Sequence, residues 1–236
     1  MSNAFYTLYQ NLDREGPGEA GDVVWVAETV GLAKDARMCD AGCGSGADVP
    51  ALLSVAPHGR ITAVDSHKPF IDELLVRVGT DPRVTAYKGN MAKLKGPFDL
   101  IWSAGALYFL GVRKGLKAWR PALAKGGVVA FSEPCLFTDT PSDSARAFWG
   151  DLPELGGADS IADRVASAGY ETLATRRLSD AAWRAYFGPL QARIDALRPD
   201  ADDELRAVLD AAQDEIDRYA SVKDETGYLL SVVRPA

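Results

Sequence analysis

The sequence predicts an α/β protein built on a mostly parallel sheet, and three observations carry that expectation. Short β-rich runs alternate with helix-like segments through the middle of the chain. A glycine-rich run, Asp40-Ala41-Gly42-Cys43-Gly44-Ser45-Gly46, stands between the first of those strands and the helix after it. With no Cβ at the glycines, backbone there can approach a bound ligand closely. An acid, Asp65, ends the next strand about twenty residues beyond the glycines.

The elements follow in order. Phe5, Tyr6 and Tyr9 share one face of an N-terminal helix. The turn Gly16-Pro17-Gly18 precedes a helical stretch over Gly21–Leu32, where Val23, Val26, Ala27 and Val30 recur at helical spacing. Strands are expected near Arg37–Ala41, Arg60–Asp65, Val84–Lys88, Phe98–Ser103 and Gly127–Glu133. Between them lie helices over Asp48–Val55, Pro69–Val78 and Val112–Ala124. Pro50 falls in a first turn, where a missing amide hydrogen is harmless, and Pro69 follows the cap region Ser66-His67. Pro121 is expected to kink or shorten its helix, and Gly126-Gly127 to mark the turn into the fifth strand.

Two further β-rich runs, Tyr170–Arg177 and Gly227–Val233, flank a long helical insert. Its first half carries Trp183, Tyr186, Phe187, Leu190, Ile194 and Leu197, with a break expected at Gly188-Pro189. Its second half carries Leu205, Val208, Leu209, Ala212, Ile216 and Tyr219, again a one-sided apolar stripe. Asp200, Asp202, Asp203 and Glu204 lie at that helix's N-terminus, where the macrodipole favours negative charge, so they read as capping rather than as a metal site. No repeat or linker interrupts the chain. It reads as one domain over 1–236, with an N-terminal helical segment (1–35), a nucleotide-binding core (36–135) and a helical cap (180–224) inserted between the last two strands.

Hydrophobic residues make up 47% of the 236 and charged residues 25%, the proportions of an ordinary globular protein. No uncharged apolar run is long enough to span a bilayer. Met1–Gln10 lacks the basic flank and apolar core of a secretory signal. A cytoplasmic protein with no membrane partner is expected. The net charge of −7 argues against nucleic acid, whose binding draws on Lys and Arg to neutralise phosphates, and favours small molecules. Arg176, Arg177 and Arg184 then read as a solvated face. Three cysteines without Cys-x-x-Cys spacing fit reduced thiols. The two histidines, His58 and His67, stand in no ligand motif, so no metal is expected.

Asp40, placed before the first glycine, can anchor a bound ammonium group, and S-adenosylmethionine carries one. In this run the sequence resembles the class I S-adenosylmethionine-dependent methyltransferases. The resemblance implies a Rossmann-like class I methyltransferase fold: a mostly parallel seven-stranded sheet with an antiparallel last strand, and a helical cap. It implies S-adenosyl-L-methionine as cofactor, held along Asp40, Ala41, Gly42, Cys43 and Gly44. Asp65, with Ser66, accepts from the ribose hydroxyls in this reading; a charge-assisted bond of that type contributes about 1.5–3 kcal/mol. The same carboxylate repels a 2′-phosphate and disfavours NADP. Its competing role is to cap the following helix.

Gly89-Asn90-Met91 follows the third strand, where such enzymes bind the adenine amino group. Asn90 can accept from that group through its side-chain oxygen, with Met91 adding backbone or packing. Many relatives carry an acid here and this chain does not; a plain turn is the alternative. The run Phe98 to Tyr108, which includes Ser103 at the strand end, is similar to a group of bacterial small-molecule methyltransferases whose acceptors are mostly unassigned. Trp119, Leu123, Lys125-Gly126-Gly127, Glu15-Gly16-Pro17-Gly18 and Phe148-Trp149 extend the likeness over nearly the whole chain. Some of that group carry an acid where this chain has Ala104, so a base at that position does not apply.

Two decoys are set aside. Gly42, Gly44 and Ala47 also satisfy a dinucleotide fingerprint, but the Tyr219…Lys223 pair that a dehydrogenase could use lies at the end of the last cap helix. Pro134-Cys135 has the look of a nucleophilic thiol that adds to a pyrimidine, against which the acidic charge argues. The expected reaction is direct methyl transfer from the sulfonium to a small-molecule acceptor, in which alignment alone can supply about 7–11 kcal/mol. Tyr108, Glu133 and Asp139 are candidates near the strand ends. Glu133 is the first choice for a base or acceptor-orienting group, and a hydrogen-bonding role at the strand end competes with it. Tyr6 and Tyr186 are candidates for lining the acceptor side, with core packing as their alternative. A non-catalytic protein that keeps the cofactor pocket, as a sensor or partner-binding module, is the alternative to an enzyme.

Overall fold

The computed structural model describes residues 3–236; Met1 and Ser2, which open the N-terminal segment 1–35, lie outside the described residues. The helices are α1 (Asn3–Tyr9), α2 (Ala20–Val30), α3 (Val49–Val55), α4 (Lys68–Val78), α5 (Val112–Trp119), α6 (Asp143–Ala147), α7 (Ala158–Ser167), α8 (Asp180–Leu197) and α9 (Asp203–Val222). The strands are β1 (Arg37–Ala41), β2 (Arg60–Asp65), β3 (Val84–Lys88), β4 (Phe98–Ser103), β5 (Leu123–Leu136), β6 (Tyr170–Arg177) and β7 (Thr226–Pro235).

The strands form one seven-stranded sheet in the order β3-β2-β1-β4-β5-β7-β6. The first five pair in parallel, and β7 runs antiparallel to both β5 and β6. This is the Rossmann-like methyltransferase fold. Winding runs outward from β1 to β3 and then returns to β4 on the other side, so the switch point lies between β1 and β4, beyond their carboxyl ends. Asp40 pairs in register with Ala63 on one side and Trp102 on the other, which places it next to the tip of β1 at that crevice.

Both faces of the sheet are covered, as a parallel sheet requires. On one face Met38, Leu100, Trp102 and Ala130 pack with Val23 and Val26 of α2, Leu52 of α3 and Ile71 and Leu74 of α4. On the other, Cys39, Ile101, Val129 and Phe131 pack with Leu116 and Trp119 of α5 and Ile161 and Val165 of α7. A third cluster joins Leu8 and Tyr9 of α1 to Trp183, Tyr186, Leu190 and Ile194 of α8 and Leu209 of α9, above the sheet's carboxyl edge.

Pro121 shortens its helix as expected, and three local expectations are corrected. The helix expected over Val112–Ala124 stops at Trp119, and Pro121 sits in a single 3₁₀ turn, Arg120–Ala122, which does not need its absent amide. Gly126-Gly127 is not a turn before β5 but part of it; the strand starts at Leu123, and a register shift against β4 accommodates Gly126 at φ 79°. Gly188-Pro189 does not break α8, which is continuous through Pro189. Trp183, Tyr186, Leu190 and Ile194 share one buried face across the proline, and that burial outweighs the lost hydrogen bond. His67 occupies the N-cap position of α4, as the cap region Ser66-His67 implied, but without a side-chain capping bond; it is half-buried, and its ring stacks on Tyr6 at the wall of the cleft described below. The acids before α9 do cap it, Asp202 accepting from the Leu205 amide at 2.8 Å.

Candidate functional site

A cleft of about 780 Å³ opens over the carboxyl ends of β1, β2 and β4. Its floor is the glycine run. Gly42 has φ 78°, and a Cβ there would collide with the Ala106 side chain and lie 3.3 Å from Met91 Sδ, so only glycine lets the loop pass beneath the cleft. The loop is tied to β2 by the Asp65 carboxylate, which accepts from the Gly44 amide at 3.1 Å and from the His67 amide at 2.7 Å. Asp65 therefore closes the turn that leads into α4, without capping the helix itself, while also lining the cleft.

The walls are charged and aromatic. Glu15, Asp40, Asp48 and Asp65 line the cleft, and the cationic side chains among its lining residues are Arg14 and Lys88. Asp40 is only 3% exposed. Burial, and then the Asp48, Asp65 and Glu15 carboxylates, hold its pKa well above the usual carboxylate range, with Arg14 opposing. Burial likewise pushes Glu15 up to about 7, against the hydrogen bonds that it accepts from Ser45. Four carboxylates facing two cations favour a positively charged guest. Tyr6 stacks on His67 with centroids 3.5 Å apart and planes 5° off parallel, and Phe70 packs edge-on against both rings. Burial lowers the His67 pKa, so the stacked imidazole is held towards its neutral form.

The structure brings together many of the residues expected to bind cofactor. Asp40, Gly42, Cys43, Gly44, Asp65, Ser66, Asn90 and Met91 all line the cleft. Ala41 and Ser103 do not. Both are fully buried beneath it, where Ser103 Oγ donates to the Ala41 carbonyl at 2.8 Å and fixes the tips of β1 and β4 together. Asn90 lines the cleft with its side-chain oxygen already accepting from the Ala92 amide at 2.8 Å, which leaves one lone pair and the amide nitrogen for a ligand.

Of the residues expected to meet an acceptor, Tyr6 and Tyr108 line the cleft, as does Tyr228 from β7. Tyr186 is buried under α1, its hydroxyl 3.0 Å from that of Tyr9. Glu133 is 3% exposed and outside the cleft wall. It faces the α7 side of the sheet, near Arg164 and Glu154, with Oε1 lacking a partner among the described residues. Burial pushes its pKa up to about 8, and its charge is felt at Tyr108 and Tyr228. Asp139 is exposed just beyond β5. The thiols of Cys39, Cys43 and Cys135 are free and buried, and burial raises the pKa of Cys135 to about 11, far from a nucleophile's range. Tyr219 and Lys223 are engaged elsewhere, the first stacked on Trp183 and the second paired with Asp180 at 2.8 Å.

Residue reasoning on the sequence missed Arg14, Asp48, His67, Phe70, Lys88 and Tyr228 as lining. The charged pair Arg14-Glu15 just ahead of Gly16-Pro17-Gly18 was the available signal, since two opposite charges before a tight turn suit a strap folded onto a polar site. Among the described residues no helix is long and apolar enough to cross a membrane. None of their His, Cys, Asp and Glu side chains cluster in threes suited to a metal ion.

Residues 38–127 match the family model described as a methyltransferase domain. Among solved structures, a S-adenosylmethionine-dependent methyltransferase from Geobacter sulfurreducens, in complex with S-adenosyl-L-homocysteine, superposes with a TM-score of 0.83 at 20% identity over 100% of this chain and 99% of that one. One from Thiobacillus denitrificans, with the same ligand, gives 0.82 at 18% identity over 100% and 99%. A Haemonchus contortus phosphoethanolamine N-methyltransferase 2 gives 0.71 at 18% identity, over 99% of this chain and 56% of that protein. No curated protein sequence matches the chain.

Proposed function

We propose that this chain is a class I S-adenosylmethionine-dependent methyltransferase, a reading that its fold and the domain match over residues 38–127 support, and that it passes the methyl group directly to a small-molecule acceptor. The observation that carries the small-molecule reading is the single continuous cleft. It runs from the Asp65 carboxylate and the glycine floor to the phenols of Tyr108 and Tyr228, and its volume of about 780 Å³ falls within the usual span of roughly 300–1,000 Å³ for ligand sites.

The residues present suit the cofactor. The acid-rich walls favour its cationic character, and the Gly42 floor leaves room that a side chain would fill. Asp40 would hold the ammonium, Asp65 the ribose hydroxyls through its remaining lone pairs, and Asn90 with Met91 the adenine. S-adenosylmethionine, when bound, supplies a methyl group on a sulfonium that already leaves readily. The protein's own contribution is then alignment and exclusion of water. The backbone of Ala104–Ala106, held by the Gly105 amide donating to Ser132 Oγ at 2.8 Å, gives the cleft a fixed wall beside the glycine floor. Tyr108 would touch the acceptor and orient it. Glu133, whose burial favours the protonated form, would act behind it as a neutral positioning residue. Tyr6 would lie over the acceptor side, and Tyr186 would brace α1 through Tyr9. A cytoplasmic setting suits the three free thiols.

The test is to incubate the protein with methyl-labelled S-adenosylmethionine and a fractionated metabolite extract and to look for label by mass spectrometry. The reading predicts a labelled small molecule. Retained S-adenosylhomocysteine binding with no labelled product from any fraction would contradict it.

A further inference from the structure

Resting on the cofactor reading above, we infer that the strap ahead of α2, together with the tip of β1, reads the amino-acid end of the cofactor, with Arg14 receiving the carboxylate and Glu15 joining Asp40 around the ammonium. Three observations lead there. The first is charge. An α-amino acid carries both signs on adjacent groups, and a carboxylate entering beside Asp40 would otherwise face Glu15, Asp48 and Asp65 as well. Of the two cations lining the cleft, Lys88 pairs in register with Asp65 at the tips of β3 and β2, on the nucleoside side. Arg14 is therefore the cation left for the amino-acid end.

The second is preorganisation. Asp48 takes Arg14 Nη2 at 2.6 Å, both side chains being 10% exposed, and Asp48 is itself fixed by the Trp102 indole donating to it at 2.9 Å. The planar guanidinium is thus oriented before any ligand arrives, and its buried Nε has no acceptor among the described residues. The third is space. A Cβ at Gly18 would come within 2.8 Å of Arg14 Nη1, and one at Gly44 would collide with the Glu15 carboxylate. Two glycines, one in the strap and one in the glycine run, leave the room these two charges occupy. Glu15 is then seated on the run by accepting from the Ser45 amide at 3.1 Å.

Calorimetric titration tests this with S-adenosylhomocysteine and its decarboxylated analogue, in which hydrogen replaces the carboxylate. Wild type should bind the complete ligand about 10- to 100-fold more tightly, the range of one charge-assisted contact. Arg14→Met combined with Asp48→Asn removes the pair together, so no buried carboxylate is orphaned, and asparagine still accepts from Trp102. That variant, checked by its melting transition, should bind both ligands equally and about as weakly as wild type binds the analogue. Arg14→Lys should retain part of the discrimination. Discrimination of wild-type size in the double variant would overturn the clamp and leave the cofactor reading standing, as would equal binding of the two ligands by wild type. No binding of S-adenosylhomocysteine by wild type would overturn both.

Discussion

Asp65 carries two duties on one carboxylate. Each oxygen accepts from a backbone amide, Gly44 on one side and His67 on the other, and each keeps a lone pair facing the cleft. Asp65→Ala should therefore cost roughly 1–3 kcal/mol of stability from the freed amides, and calorimetry should show S-adenosylhomocysteine affinity falling at least about tenfold. Unchanged affinity in a folded variant would remove Asp65 from the site. Glu133 makes the opposite kind of prediction. Its pKa is raised by burial from an ordinary carboxylate value to about 8, so folding favours the protonated form. Its neutral form is tolerated below about pH 4.5, and the cost of ionising it inside the protein grows as pH climbs towards 8. Glu133→Gln should be close to neutral at pH 5 and stabilising by about 1–3 kcal/mol at pH 9, raising the melting temperature there by several degrees. A shift of equal size at both pH values would contradict this account of Glu133. The two acids looked alike in the sequence, each ending a strand. Burial and partners, which the sequence did not display, separate them.

At the scale of elements, a glycine's context decides what a methyl group does. Gly188 lies in the exposed part of α8, where a Cβ would meet no atom beyond its chain neighbours and its own helix, so Gly188→Ala should gain at most about 0.5–1 kcal/mol of helix propensity, offset in part by the Pro189 ring, and raise the melting temperature by no more than about one to four degrees. Gly42→Ala should do the reverse, because φ is positive and the new atom would meet Ala106. A destabilised Gly188→Ala would show that α8 is strained at its proline. The same helix shows what the sequence could and could not display. The apolar stripe of Trp183, Tyr186, Leu190 and Ile194 was legible as spacing, and so was the existence of a helix. That the stripe would override Gly188-Pro189 was not, because the decisive contacts with Leu8, Tyr9 and Leu209 come from elements distant in the chain. The strands of the parallel core were legible nearly to the residue, since each is a short apolar run between turn signals. β5 was not, because Lys125-Gly126-Gly127 resembles a turn unless the neighbouring β4 accommodates a register shift.

At the scale of the molecule, the sheet, its two covering layers and the cap place one acidic cleft at the switch point between β1 and β4. The glycine run and the acids at the tips of β1 and β2 were readable because backbone approach and hydroxyl recognition constrain residue type and spacing together. The N-terminal strap was not, since residues 14–18 reach the cleft only through long-range packing against Asp48, Ser45 and α8. The most direct measurement of the central claim is a crystal structure of the protein with S-adenosylhomocysteine. The account predicts the ribose hydroxyls on Asp65, the adenine beside Asn90 and Met91, and the ammonium at Asp40, with the thioether pointing towards Tyr108. A ligand bound away from the glycine run, or a cleft left empty at saturating concentration, would contradict it.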